Sequence, residues 1–174
     1  MSRPPPRPGR LMTPADVAFR LTAAVLVGTA IGLNRDLRGK PAGVRTHALV
    51  GLGSAVVTVI AANAAAANSD VAAVSRVMQG IITGIGFLGA GVILHPDQGR
   101  VRGLTTAASI WVVAALGIAC GAADWWPLGL GGGLTLLVLV AGGPLERAVH
   151  RLVGEPRTAG DADPDQEAKP RADE

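Results

Sequence analysis

The sequence predicts an all-α integral membrane protein with five transmembrane helices, its N-terminus outside and its C-terminus inside. Charged residues make up 17% of the chain, against about 25% in a soluble domain, and the mean hydropathy is +0.38. Only six charged residues lie between His47 and Gly143. The charged residues are therefore concentrated near the two ends of the chain, and long apolar runs separated by short connectors lie between them.

Five apolar runs are long enough, or nearly so, to cross the hydrocarbon core, which takes about 20 helical residues. Any single run could be a buried helix of a soluble protein, but five in succession leave too few polar faces to cover a soluble surface. The predicted spans are Val17 to Leu33, Ala48 to Ala67, Val77 to Leu94, Leu104 to Ala123 and Trp125 to Gly143.

The composition excludes several other classes of protein. The single cysteine, Cys120, cannot form an internal disulfide, and the three histidines are too scattered for a zinc site. The pI near 10.0 could indicate a nucleic-acid partner, but two Phe, three Trp and no Tyr leave few aromatic rings for stacking. The lipid bilayer is the predicted environment, and no nucleic acid is expected to bind.

The distribution of basic residues predicts the orientation, because Lys and Arg near span ends stay in the cytoplasm. With the N-terminus outside, eight basic residues near span ends are internal and four are external. The internal ones are Arg35, Arg38, Lys40, Arg45, Arg100, Arg102, Arg147 and Arg151, and the external ones are Arg3, Arg7, Arg10 and Arg76.

The segments outside the spans predict the domain organisation. Residues 1–15 form a Pro- and Arg-rich extension, and the first span is interpreted as retained, because a signal peptide would need a clear cleavage site. Residues 16–143 form the membrane domain and residues 144–153 an interfacial segment. Residues 154–174 carry seven acids and three bases with almost no large apolar residue, which predicts a disordered acidic tail.

Pairs of glycines four residues apart occur in four of the five spans. Small residues at this spacing let membrane helices approach closely, so the pairs predict a tight bundle. They are Gly28 and Gly32, Gly80 and Gly84, Gly117 and Gly121, and Gly129 and Gly133.

The run from Gly84 to Gly89 formally matches the dinucleotide-binding pattern G-x-G-x-x-G. It lies inside an apolar run instead of between a strand and a helix, so it predicts a dense Gly/Ala face or a locally unwound helix. There is no Walker sequence and no Ser/His/Asp arrangement, so no enzyme is predicted. His47 is interpreted as an interfacial side chain and Cys120 as a small packing residue.

The two predicted inner loops resemble each other, since each places Arg and Thr at the start of an outward-running helix. If spans three and four repeat spans one and two, these residues converge on a cytoplasmic mouth with positive potential. Such a mouth favours an anion, a lipid phosphate or an acidic partner. The residues are Arg45, Thr46, Arg102, Thr105 and Thr106. No acid lies inside a span, so a metal site is not predicted.

Four blocks in order resemble the MgtC/SapB family. They are the run from Ile31 to Asp36, the run from Pro41 to Val50, the pair Ser75 and Arg76 with the run from Gly84 to Ile93, and Arg102 to Ala108 followed by Trp111. The resemblance implies a multi-pass protein of the bacterial inner membrane, involved in magnesium homeostasis, growth in low magnesium and survival inside host cells.

The resemblance further implies regulation of another membrane complex, such as the proton-translocating ATP synthase. A transporter or channel for magnesium or an anion is the alternative, and a homo-oligomer stays open. No cofactor is implied, apart from magnesium as a sensed or transported species. The functional candidates carried over are Arg35, Arg45, Thr46, Arg76, Gly84, Gly86, Gly89, Gly91, Arg102, Thr105 and Thr106.

Two features depart from the family pattern. Asn34 stands where members usually have an acid, so a negative charge beside Arg35 is missing and a cation role there is not expected. Only 31 residues follow Gly143, too few for the folded cytoplasmic domain of many members, so regulation through such a domain is not expected.

The predicted orientation can be tested by labelling. A cysteine introduced at Ser69 is expected to react with a membrane-impermeant thiol reagent in intact cells, because the connector between spans two and three would be external. Labelling of a cysteine at Gly39 instead would contradict the orientation.

Overall fold

In the computed structural model, residues 11–68, 71–93 and 103–153 are described, and nearly all of them are helical. The helices are α1 (Pro14–Asp36), α2 (Val44–Asn68), α3 (Val71–Ile93), α4 (Leu104–Ala122) and α5 (Trp125–Val153). Each is long and apolar enough to cross a membrane, which confirms the predicted all-α integral membrane fold. The orientation stays a prediction.

Local sequence explains where α1 begins. The Thr13 hydroxyl accepts a hydrogen bond from the Asp16 amide at 3.2 Å, and the Asp16 carboxylate accepts one from the Thr13 amide at 3.1 Å. This reciprocal capping box, with Pro14 in the first helical position, satisfies amide groups that would otherwise lack partners. The helix ends at Asp36, three residues beyond the predicted span.

Contacts divide the chain into two units at Val138. The first unit contains α1 to α4 and the first half of α5. The second unit begins at Leu139, and its described part is helical, with Pro144 inside the helix. There the Arg147 Nε donates to the Gly143 carbonyl at 3.2 Å.

Helices α1 and α2 are antiparallel and approach backbone to backbone. A Cβ atom at Gly28 would lie 2.6 Å from the His47 carbonyl oxygen, and one at Gly32 would lie 2.6 Å from the Val44 Cα. On the opposite side of the contact, a Cβ at Gly51 would lie 2.9 Å from the Ala24 carbonyl oxygen. Glycine is therefore required at the first predicted pair, because the neighbouring atoms belong to backbone.

Helix α4 packs parallel to α2, and here too glycines allow a close approach. A Cβ at Gly117 would collide with the Gly51 carbonyl oxygen, and one at Gly121 would lie 2.7 Å from the Thr58 Cβ. Cys120 is fully buried beside Ala24 and Ala55, in keeping with its interpretation as a packing residue. The glycine pairs of α1 and α4 thus both pack against α2, which lies between these two helices.

The beginning of α1 is hydrogen-bonded to the end of α4. Arg20 Nη1 donates to the Gly121 carbonyl oxygen at 2.6 Å, which satisfies a carbonyl that the end of α4 leaves unpaired. The Met12 amide donates to Asn63 Oδ1 at 3.2 Å, close to the end of α2. Phe19 and Trp125 make an edge-to-face contact with 5.3 Å between ring centroids.

Helix α3 is continuous through its glycines, so of the two predicted alternatives the locally unwound helix is wrong. Ile85 packs with Ile110 and Ala114 of α4, and a Cβ at Gly89 would lie 3.6 Å from the Ala107 Cβ. Ile85 and Gly89 are the only residues of α3 described as buried. A Cβ at Gly80, Gly84, Gly86 or Gly91 would meet no described atom within 4 Å.

The glycine pair in α5 has the same open surroundings. A Cβ at Gly129 or Gly133 would meet nothing within 4 Å, and both glycines line an apolar groove of about 330 Å³ between α1 and α5. Close packing inside a single chain therefore does not account for the pairs in α3 and α5.

Three expectations concern residues near helix ends or outside the described ranges. Helix α3 begins at Val71, so Arg76 lies within the helix and not in a connector. The interfacial location of residues 144–153 stays a prediction, although these residues are helical. The extension up to residue 10, Arg102 and the acidic tail lie outside the described residues.

The α2–α4 contact predicts the effect of adding one methyl group. Gly117→Ala is expected to lower the free energy of unfolding by about 1–3 kcal/mol, because the new Cβ collides with backbone that cannot move aside. Gly53→Ala is the control: a Cβ there meets nothing within 4 Å, and alanine favours the helix by up to about 1 kcal/mol. Unfolding in mild detergent measures both, and equal stabilities would contradict the contact.

Candidate functional site

Four polar side chains are buried together where the end of α1 meets the beginnings of α2 and α4. We name Arg35, His47, Thr106 and Ser109 the buried polar cluster. Each exposes 4% or less of its surface. Helix α2 supplies His47 from its first turn and α4 supplies Thr106 and Ser109, one turn apart on the same face.

Arg35 has the least complete set of partners in the cluster. Its Nη2 donates to the Thr106 hydroxyl oxygen at 2.6 Å, whereas its buried Nε has no hydrogen-bond partner. No carboxylate from the described ranges pairs with this guanidinium. A buried charge is costly unless it is paired and hydrogen-bonded, so this arginine is a position of local instability.

His47 is held at both ring nitrogens. Nδ1 lies 2.9 Å from the Gly43 carbonyl oxygen and must donate to it, because a carbonyl only accepts. Nε2 lies 3.0 Å from the Ser109 Oγ, which also lies 2.8 Å from the Thr106 carbonyl oxygen. Rotation of one hydroxyl therefore lets Nε2 either accept or donate, and the cluster can hold the ring in either protonation state.

The beginnings of α2 and α4 differ in how they are capped. Asp36 Oδ2 accepts a hydrogen bond from the Val44 amide at 2.9 Å, and the Asp36 carboxylate occupies the position that a Cβ of Gly43 would take. The N-cap of α4 is Gly103, with φ +88° and no side-chain cap. The α2 terminus thus has an acid cap, whereas α4 has no side-chain cap at its N-cap residue.

The structure brings together some of the predicted site residues and separates others. Thr106 and Arg35 are in contact, while Arg45 and Thr105 are exposed and Thr46 is half-buried. The N-termini of α2 and α4 lie at one end, as the predicted repeat requires. Convergence of all five predicted residues stays a prediction, since Arg102 is outside the described part.

The remaining candidates lie on α3. Arg76 is exposed in its second turn, and Gly84, Gly86 and Gly91 are exposed along its length. Gly89 is buried against α4. These residues do not contact the buried polar cluster in the described structure, so the sequence candidates fall into two separate regions.

Sequence reasoning missed two members of the cluster. The interpretation of His47 as an interfacial side chain did not include its full burial between helices, and its depth in the membrane stays a prediction. Ser109 was not singled out at all. A signal was present in the spacing of Thr106 and Ser109, since two hydroxyl residues three apart on an otherwise apolar helix share one face.

The donor set of the cluster does not suit a metal ion. Within the described ranges no group of three or more His, Cys, Asp and Glu side chains is placed to hold one. A guanidinium, a hydroxyl and amide donors at a helix N-terminus instead suit negatively charged oxygen atoms.

Comparison with known proteins identifies the family. The model of the MgtC family matches residues 21–148. The chain is 47% identical over 137 residues to protein SrpB of Synechococcus elongatus, covering 72% of this chain and 74% of SrpB. It is 44% identical over 130 residues to YhiD of Escherichia coli strain K12, covering 72% of this chain and 60% of YhiD.

A third relative is matched over less of its length. Protein MgtC of Brucella abortus is 43% identical over 108 residues, which cover 62% of this chain and 43% of that protein. The chain thus spans less than two thirds of YhiD and less than half of MgtC. No solved structure matches it. Because the family model covers residues 21–148 of the 174-residue chain, the chain belongs to the MgtC family.

Proposed function

We propose that this protein acts in magnesium homeostasis in the bacterial cytoplasmic membrane, by regulating another membrane complex through helix contacts. The observation that carries the proposal is the open glycine face of α3, defined as Gly80, Gly84, Phe87 and Gly91. These residues recur at intervals of three or four and so share one face. No described atom of this chain lies within 4 Å of a Cβ placed at these glycines, and 84% of Phe87 is exposed.

The physical argument rests on how helices associate in lipid. Close approach of backbones drives association there, because lipid supplies no hydrophobic force between helices. In this chain α1, α2 and α4 already use their glycines against one another. The glycines of α3 remain available to a helix from a different protein, such as a subunit of the ATP synthase, or to a second copy.

The relatives supply the physiological context. The name of YhiD assigns it provisionally to magnesium transport, and MgtC gives the family its name. Magnesium is therefore the proposed sensed or affected ion. Regulation is favoured over enzymatic chemistry, because the Ser109 hydroxyl that contacts His47 is buried and the other ring nitrogen contacts a backbone carbonyl and not a carboxylate.

Transport of magnesium or an anion is the second candidate function, and the buried polar cluster favours it. Buried polar and ionisable groups in membrane segments commonly mark ion pathways. Magnesium is the less favoured ion for such transport, because the described ranges contain no set of carboxylates that could replace its hydration shell.

Substitution on the open face of α3 tests the regulatory proposal. Gly84→Leu is expected to leave stability unchanged, because a Cβ there meets no described atom within 4 Å, yet to abolish rescue of growth in low magnesium in a strain deleted for this protein. Co-purification of a stoichiometric membrane complex in mild detergent should be lost as well.

Gly53→Leu is the matched control for this experiment. Gly53 is also an exposed glycine within a helix, with nothing within 4 Å of its added Cβ, but it lies on α2. It should rescue growth like the wild type. Full rescue by Gly84→Leu would contradict contact through α3.

A flux measurement separates the two candidate functions. Purified protein in liposomes is expected to give no magnesium flux above that of empty vesicles, measured with an entrapped magnesium-sensitive dye. A protein-dependent flux that Arg35→Gln abolishes would contradict the regulatory proposal and support transport.

A further inference from the structure

We propose that the N-terminus of α4 and the guanidinium of Arg35 together form a binding site for a phosphate group. The site consists of the backbone amides of Leu104, Thr105 and Thr106, with Arg35 packed against their turn. It requires no assumption about magnesium or about a protein partner.

The first observation is the uncapped start of α4. The first intrahelical bond runs from the Ala107 amide to the Gly103 carbonyl at 2.8 Å, so the three preceding amides have no intrahelical acceptor. Gly103 has no side chain that could provide one. Leu104 and Thr105 are exposed, so a ligand can approach the turn from the side of these two residues.

The second observation is independent of the helix end. Arg35 is 96% buried, since only 4% of its surface is exposed, and its Nε has no partner. Its Nη2 is fixed by Thr106, the third residue of α4. Guanidinium groups pair with oxyanions through two parallel N–H bonds, so an oxyanion oxygen beside Nε would satisfy the donor that the described residues leave unpaired.

The neighbouring helix shows what is missing at α4. At α2 the carboxylate of Asp36 provides the negative charge and accepts the Val44 amide. No described carboxylate does this at α4, although the adjacent arginine would favour one more strongly there. An external oxyanion would supply the absent charge, satisfy the helix amides and neutralise Arg35 in a single step.

The position within the span favours a phosphate group. Arg35 is the second-last residue of α1 and Thr106 lies in the first turn of α4, so we expect both at the level of lipid headgroups. The same chemistry is offered by a phospholipid headgroup and by free phosphate, and the experiment distinguishes these sources.

Thermal unfolding of the full chain, delipidated in mild detergent, tests the site. One series adds inorganic phosphate at constant ionic strength against chloride, and a second adds phosphatidylglycerol against phosphate-free monoolein. We expect a saturable rise in Tm with at least one phosphate probe. A rise with phosphatidylglycerol alone assigns a lipid headgroup, whereas a rise with inorganic phosphate assigns a free anion.

Variants link the effect to the site. Arg35→Lys keeps the charge but loses the planar set of N–H donors of the guanidinium. The half-saturating concentration of the phosphate probe should therefore rise about tenfold. Arg147→Lys is the control, because Arg147 is exposed on α5 and supplies no group to the proposed site, and it should leave that concentration unchanged.

A second variant protects the test against loss of folding. If Arg35→Lys does not purify as folded protein, Thr106→Val removes the hydroxyl that fixes Arg35 at nearly constant shape and should weaken binding similarly. The absence of any Tm rise in the wild type with both probes would overturn the proposal. So would equal half-saturating concentrations in the wild type and whichever of these variants folds.

Discussion

The structure depends on contact between helix backbones. Gly28 and Gly32 bring α1 against α2, and Gly117 and Gly121 bring α4 against the other side of α2. In a bilayer this proximity replaces the hydrophobic drive that packs soluble helices, because lipid is as apolar as the side chains it contacts. The distances leave no space for even one methyl group, so these contacts fix the register in which the three helices meet.

That register has a consequence for polar chemistry. With α2 held between α1 and α4, the end of α1 lies against the beginnings of the other two helices, and Arg35 and His47 are enclosed with Thr106 and Ser109. Arg35 carries a charge that its described neighbours only partly satisfy. Stability gained from glycine packing therefore supports a local polar arrangement that is costly by itself.

Glycines serve two different purposes in this chain. The glycine pairs of α1 and α4 pack against α2 within the chain. The pairs of α3 and α5 have no described atom within 4 Å of an added Cβ; they are Gly80 and Gly84, and Gly129 and Gly133. The same sequence spacing thus produces an internal contact in one helix and an available surface in another. The proposed regulation uses the second kind, and the proposed phosphate site depends on the first kind indirectly, through the register it fixes.

The sequence by itself determined that five helices cross the membrane and that glycine pairs would matter, because length, hydropathy and spacing are local properties. It also identified Arg35 and Thr106, through family motifs, without indicating that they touch. Tertiary structure decided that His47 is buried, that Ser109 completes the cluster, and which glycine pairs meet another helix. These outcomes depend on which helix lies beside which and in what register, and a glycine four residues from another has the same sequence signature whether its face meets backbone or lipid.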